Sequence, residues 1–185
     1  MLRALRLISV LLITITAHTA TLQQLSMDQM SQLATAVVRA RVTASSASFY
    51  PGPGAPTIYT HYKLSVSEVW KGAATTEVML PGGDVNGQKQ SFPGVPELRI
   101  GGEYILFLWK SPTTGIVHTM GLTQGIFEIT TQANGTTAAN RRKSGELMLD
   151  GSGHRVSDSA VSMNLTDLKS RVRRTPGATS TGPSK

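Results

Sequence analysis

The apolar residues between positions 25 and 131 change period several times, and each change marks an element. Leu25, Met27, Met30 and Leu33 form one stripe at helical spacing, with Ser26 at its start and Gln29 three positions later. That is capping-box spacing, and it predicts a short helix over 26–34. Val38, Ala40, Val42 and Ala44 then alternate with Arg39, Arg41 and Thr43, the period of a half-buried strand. Residues 45–56 are small, then rich in Pro and Gly, and read as a loop. Ile58, Tyr62, Leu64 and Val66 share one parity, but the next apolar residue is Val69. The slip of one predicts a bulge at Ser67-Glu68 and a bent strand. Val78 and Leu80 continue as a short strand stopped by Pro81-Gly82-Gly83, and residues 85–92 read as another, stopped by Pro93-Gly94. Tyr104 through Trp109 are apolar at both parities, which fits a central strand covered on both faces. Residues 116–120 and 126–131 complete the set.

The spacing predicts an all-β fold with minor α: a barrel or sandwich over 21–131 with one helix packed on it. Residues 132–174 read as a polar extension with one hairpin at 146–155. A short amphipathic helix follows, from Leu165, Leu168 and Val172, capped by Asn164 or Thr166. Residues 175–185, of Pro, Gly, Ser and Thr, read as a disordered end.

The first 20 residues read as an address and not as part of the fold. Arg3 and Arg6 precede an apolar run from Leu7 to Ala17, which is signal-peptide length and too short for a bilayer span. The expected cut follows Ala20, and the expected location is secreted or periplasmic, with no membrane anchor.

Composition narrows the chemistry. The chain has 185 residues, suited to one domain, and only 16% are charged. Polarity comes from 18 Ser and 22 Thr. Zero cysteines exclude disulfides, thiolate metal sites and a thiol nucleophile. The net charge of +7 is uneven: residues 21–129 hold seven basic and seven acidic side chains, whereas 130–185 hold nine and four. The excess lies in Arg141-Arg142-Lys143 and in Lys169, Arg171, Arg173 and Arg174. It reads as a solubilising, mobile tail, with contact to anionic surfaces as the functional alternative. No aromatic residue stands among these charges to stack on a base, which argues against specific nucleic-acid binding.

Several phrases, taken in order, resemble a family of uncharacterised exported bacterial domains. They are the Leu25-Ser26-Met27-Asp28-Gln29-Met30 helix, Val69-Trp70-Lys71-Gly72, the Gly82-Gly83 turn, Gly101-Gly102-Glu103-Tyr104-Ile105-Leu106-Phe107-Leu108, and Gly121-Leu122-Thr123-Gln124-Gly125-Ile126-Phe127. The likeness covers roughly 22–130 and again 164–174. It implies a small closed or partly open OB-like barrel, similar in outline to the netrin and tissue-inhibitor-of-metalloprotease group, and an occurrence beside secreted matrixin-like proteases. Those inhibitors hold the protease zinc through an N-terminal cysteine. This chain has none, so no functional residue carries over.

The sequence holds no H-E-x-x-H, G-x-S-x-G or P-loop. Gly151-Ser152-Gly153-His154 lacks the second glycine of a nucleophile turn. Beyond the signal segment, His61, His118 and His154 lie in separate segments with no i, i+4 pair, so no metal site and no cofactor is expected. His61 is predicted on an outward face and His118 partly buried against a backbone carbonyl. Glu68, Glu77, Glu97, Glu103 and Glu128 show no spacing that enforces an acid and base pair. The sequons at Asn134 and Asn164 carry no weight in a bacterial chain. Phe49 and Tyr50, before Pro51-Gly52-Pro53-Gly54, are the candidate binding residues, with closure of the barrel end as their structural alternative. The resulting expectation is an exported, non-enzymatic binding module for a co-secreted protein such as a metalloprotease. The alternative is a small secreted hydrolase or carbohydrate-active protein.

Overall fold

A computed structural model describes residues 21–51, 56–92, 94–133 and 135–175. The expected signal segment with its cut after Ala20, the sequon at Asn134, and residues 176–185 lie outside them. Among the described residues the fold is all-β with two short helices.

Helix α1 (Met27–Leu33) starts where the sequence places it. Ser26 Oγ accepts from Gln29 N and the Gln29 side chain accepts from Ser26 N, a complete capping box. Two 15-residue strands follow, β2 (Ala36–Tyr50) and β3 (Thr57–Lys71), after a short β1 (Thr21–Gln23). Then come β4 (Glu77–Pro81), β5 (Gly83–Val85), β6 (Gln88–Gln90), β7 (Glu103–Lys110), β8 (Val117–Thr119) and β9 (Ile126–Thr131). The chain continues through β10 (Thr137–Arg141), β11 (Leu147–Leu149), β12 (Arg155–Val156), β13 (Val161–Asn164) and helix α2 (Leu165–Arg174).

The main sheet runs β13-β10-β9-β7-β2-β3-β4, with β8 on the β7 edge beside β9. It is open: among the described residues no ladder joins β13 to β4, so the closed form of the expected barrel does not occur. The strand β4 meets β8 through side chains: Val117 packs on the cluster that holds Val78 and Leu80, and His118 Nδ1 donates to Met79 O at 3.1 Å.

Both faces of the sheet are covered, which explains the two-parity run in β7. Tyr104, Leu106 and Leu108 pack with Val38, Ala40, Val42, Tyr62, Leu64 and Leu98 on the side away from the helices. Ile105 and Phe107 pack with Met30, Phe127, Leu168 and Val172 under the two helices. The predicted bulge is present: Arg39 pairs with Glu68 and Ala40 with Val66, leaving Ser67 extra. This slip carries Trp70 to the helix side, while Val66 stays on the opposite side.

Residues 132–174 are not an appended extension. β10 and β13 complete the main sheet, and β11 and β12 join β1 in a second one. The segment reads as polar because β10 needs small residues: Ala139 lies under Leu168 and Val172 of α2. Residues 45–50, expected as loop, are strand for a related reason. The backbone of Gly83 rests on Ala47 and Ile58, where a side chain would not fit. The segment 85–92, expected as a single strand, is the end of a β5–β6 hairpin turned by Asn86 (φ 53°) and Gly87 (φ 81°).

Four of the seven basic side chains that carry the C-terminal excess are paired within the fold, against the reading of that region as a mobile tail. Arg171 pairs with Asp28 of α1, Lys169 with Glu68 of β3, Arg142 with Glu128, and Arg141 with Asp158. The Lys169 ammonium beside Glu68, with help from Trp70 Nε1 and Arg39, holds the Glu68 carboxyl down at about 2.

Candidate functional site

The distal half of the β2–β3 hairpin forms an arm. The register pairs Ser46 with His61 and Ser48 with Tyr59, then His61 with Met79 and Lys63 with Glu77. Cross-strand partners share a face. Ser46, Ser48, Tyr59, His61, Lys63, Glu77 and Met79 therefore stand together on the outer face. The other face carries Ala47 and Ile58 under β5.

Three of these side chains are hydrogen-bonded in series. Ser48 Oγ lies 2.8 Å from His61 Nε2, and His61 Nδ1 lies 2.5 Å from Glu77 Oε1. The second Glu77 oxygen accepts from Lys63 Nζ. The Lys63 ammonium, then the His61 ring, hold the Glu77 carboxyl below the usual carboxylate range. An ionised carboxylate only accepts, so His61 Nδ1 carries a proton and donates it to Glu77, and Nε2 faces the Ser48 hydroxyl.

Beside this chain runs a row of rings. Tyr50 meets Tyr59 edge-on at 5.7 Å, Tyr59 meets His118 at 5.9 Å, and His118 stacks with Trp109 at 6.4 Å. Trp109 is 41% exposed. Burial pushes the His118 imidazole below its ordinary value, so this ring is neutral at pH 7, with its Nδ1–H given to Met79 O.

The arm also has an unfilled edge. The β7 ladder on β2 ends at Arg41 opposite Glu103. From Thr43 to Tyr50, among the described residues, no strand pairs with β2 on the side away from β3. This stretch contains no charge and no proline.

Phe49 and Tyr50 fall at the end of this edge, within β2 and not in a loop. Phe49 is 42% exposed, on the face shared with Ile58, while Tyr50 belongs to the ring row. The two candidates thus point to opposite sides of one strand end.

Of the other sequence candidates, Glu97 lines a hollow with Glu128, Arg99 and Arg142, and the rest have structural partners. Glu103 is held by Arg39 and Arg41, and Glu128 by Arg99 and Arg142. In the 151–154 segment the N–H groups of Ser152 and His154 donate to Asp150 Oδ1, which makes it a turn between β11 and β12. Asn164 caps α2. A hollow of about 610 Å³ near the β7–β8 turn is lined by Thr35, Ala73, Thr75, Lys110 and Ser111, with no base beside a nucleophile. No group of three metal-ligating side chains converges among the described residues.

No family model matches the chain. No curated protein matches it either.

The phrases that carry the family resemblance are accounted for by folding. Trp70 fills the helix-side core, and Lys71 Nζ donates to the carbonyls of Ser31 and Gln32 at the end of α1. Gly72, at φ 68°, lies against the Thr35 carbonyl. Buried Gln124 accepts from Leu25 N and donates to Gln23 O, which ties the N-terminal segment to the sheet. The arm lies outside those phrases. Sequence parity places His61 outward but cannot pair it with Ser48 and Glu77. The available signal was charge: Lys63 and Glu77, which the β3–β4 register sets opposite each other, make a favourable cross-strand pair.

Proposed function

We propose that the chain is an exported binding module that holds an extended segment of a co-secreted protein along the free edge of β2. The observation that carries this reading is the uncovered stretch from Thr43 to Tyr50. An open edge presents backbone N–H and C=O groups to an incoming strand, and native proteins normally block such edges with Lys, Pro or a covering element. Here the edge is uncharged, and its end offers Phe49 on one face and Tyr50 with Tyr59 on the other as side-chain anchors. Export is supported by the Arg3, Arg6 and Leu7 to Ala17 pattern. The resemblance to exported domains found beside metalloproteases supports a secreted protein as the partner, and no cofactor enters the reading. Pairing of Arg141, Arg142, Lys169 and Arg171 within the fold weighs against a nucleic-acid role.

The test is affinity capture from the native secretome with wild-type chain and with Phe49→Ala and Tyr50→Ala. Each substitution removes a partly exposed ring, so the stability loss is expected at about 1 kcal/mol or less. Capture of the partner is expected to fall about tenfold or more, as for an aromatic anchor. Undiminished capture by both variants would exclude the edge end as the contact.

A second reading, a small hydrolase, is favoured by one observation: the Ser48–His61–Glu77 series.

A further inference from the structure

The geometry points to Ser48 as a base-activated nucleophile on the outer face of the arm, taking an acyl group from an aryl ester. This rests on the hydrolase reading of that face, and its test is read without the partner. The order of groups is the one acyl transfer needs: nucleophile, base, and an acid that orients the base. Ser48 Oγ is 2.8 Å from His61 Nε2, inside the reach required of a general base. Glu77 fixes the opposite ring nitrogen at 2.5 Å, and Lys63 fixes Glu77. Ser48 is exposed, so an ester reaches it with no opening of the fold.

The substrate class follows from what surrounds the hydroxyl. Tyr59 is the direct cross-strand partner of Ser48, and Tyr50 packs against Tyr59. These rings form an apolar wall suited to an aromatic leaving group. Successive N–H groups of a flat strand point in alternating directions, so no two converge on a single oxyanion. One such donor is worth about 10²–10³ in kcat. Without them, the reaction is confined to esters with a good leaving group.

In the first step the Ser48 Oγ–acyl carbon bond forms while the hydroxyl proton passes to His61 Nε2. The ester C–O bond breaks, and the departing aryloxide takes that proton. Water then attacks the acyl carbon, giving a proton to His61 Nε2. The Oγ–acyl bond breaks, the carboxylic acid leaves, and the proton returns to Ser48 Oγ. Glu77 acts as a positioning residue.

The test uses the full chain with p-nitrophenyl acetate, followed by intact mass and peptide mapping. One acetyl group on Ser48 is expected, absent in Ser48→Ala and formed about a hundredfold more slowly in His61→Gln. A downfield Nδ1 proton resonance of His61 is expected in the wild type and lost in Glu77→Gln. Because Ser48 is exposed, Ser48→Ala is expected to melt with the wild type. Acetylation confined to lysines, or Ser48 acetylation at the wild-type rate in His61→Gln, would overturn the assignment. Neither outcome bears on partner capture.

Discussion

Asp158→Ala is expected to destabilise the protein by about 3–5 kcal/mol, the cost of leaving a buried charge unpaired. Arg141 and Asp158 are both buried, at 8% exposure each. The guanidinium binds the carboxylate in two bonds of 2.8 and 2.7 Å, and also donates to Ser159 O. Asp158 in turn accepts from Ser144 N. This knot ties β10 of the main sheet to the chain between β12 and β13, so its loss releases the edge on which α2 rests. For a chain of this size the melting point should fall by about 10 °C. Replacing both partners by apolar residues of similar volume, as in Arg141→Met with Asp158→Leu, should recover only part of the loss: no orphan charge remains, but Ser144 N–H and Ser159 O lose their partners. The pair also sets an acid limit. Burial alone raises the Asp158 carboxyl, but the Arg141 hydrogen bonds and charge, with Ser144 N–H, outweigh it and hold the group below its ordinary 3.8. A depressed carboxylate stabilises the fold above the unfolded value, and that stability is lost as pH falls below about 4. Thermal melts from pH 7 to pH 2 check the sign. In the double apolar variant this part of the acid dependence should vanish.

Gly72→Ala is expected to cost about 3 kcal/mol, from a φ of 68° that an L side chain resists and from a methyl group driven into the Thr35 carbonyl. Thr35 cannot retreat easily. Its N–H and its hydroxyl both donate to Leu108 O, and its hydroxyl oxygen accepts from Lys110 N. Two comparison substitutions separate the causes. Gly87 has φ 81° with nothing near a Cβ, so Gly87→Ala isolates the backbone strain at about 1 kcal/mol. Gly151 has neither constraint, and Gly151→Ala should be near neutral. Equal losses at positions 72 and 87 in denaturant unfolding would contradict the steric account.

The parts of the fold legible in the sequence are those governed by local chemistry. The Ser26 and Gln29 cap, the phase slip at Ser67, the two-sided run of β7 and the Asn164 cap of α2 each depend on residues within a few positions of one another. The hidden parts depend on distant partners. β10 lacks large apolar residues because α2 sits close above Ala139, and the outer half of β2 is Ser and Ala because Gly83 lies on it. The arm was hidden for the same reason. Ser48, His61 and Glu77 come from three strands, and only the unbroken outer register of β2 with β3, together with the β3–β4 register, brings them together. Phe49 and Tyr50 stood out as aromatic residues before a Pro-Gly segment, but their pattern did not tell strand end from loop. The recognisable phrases around Trp70, Gly102 and Gln124 are conspicuous because they build the scaffold, and for that reason they do not mark the contact surface.

The central claim, that the free edge of β2 is the contact surface, is tested most directly by site-specific photo-crosslinking in the native secretome. A crosslinking side chain at exposed Ser46 on the arm is compared with one at exposed Arg155 in β12. The account predicts a discrete product from position 46, mapped to an extended segment of one secreted protein, and none from position 155. A product from position 155 with position 46 silent would contradict it.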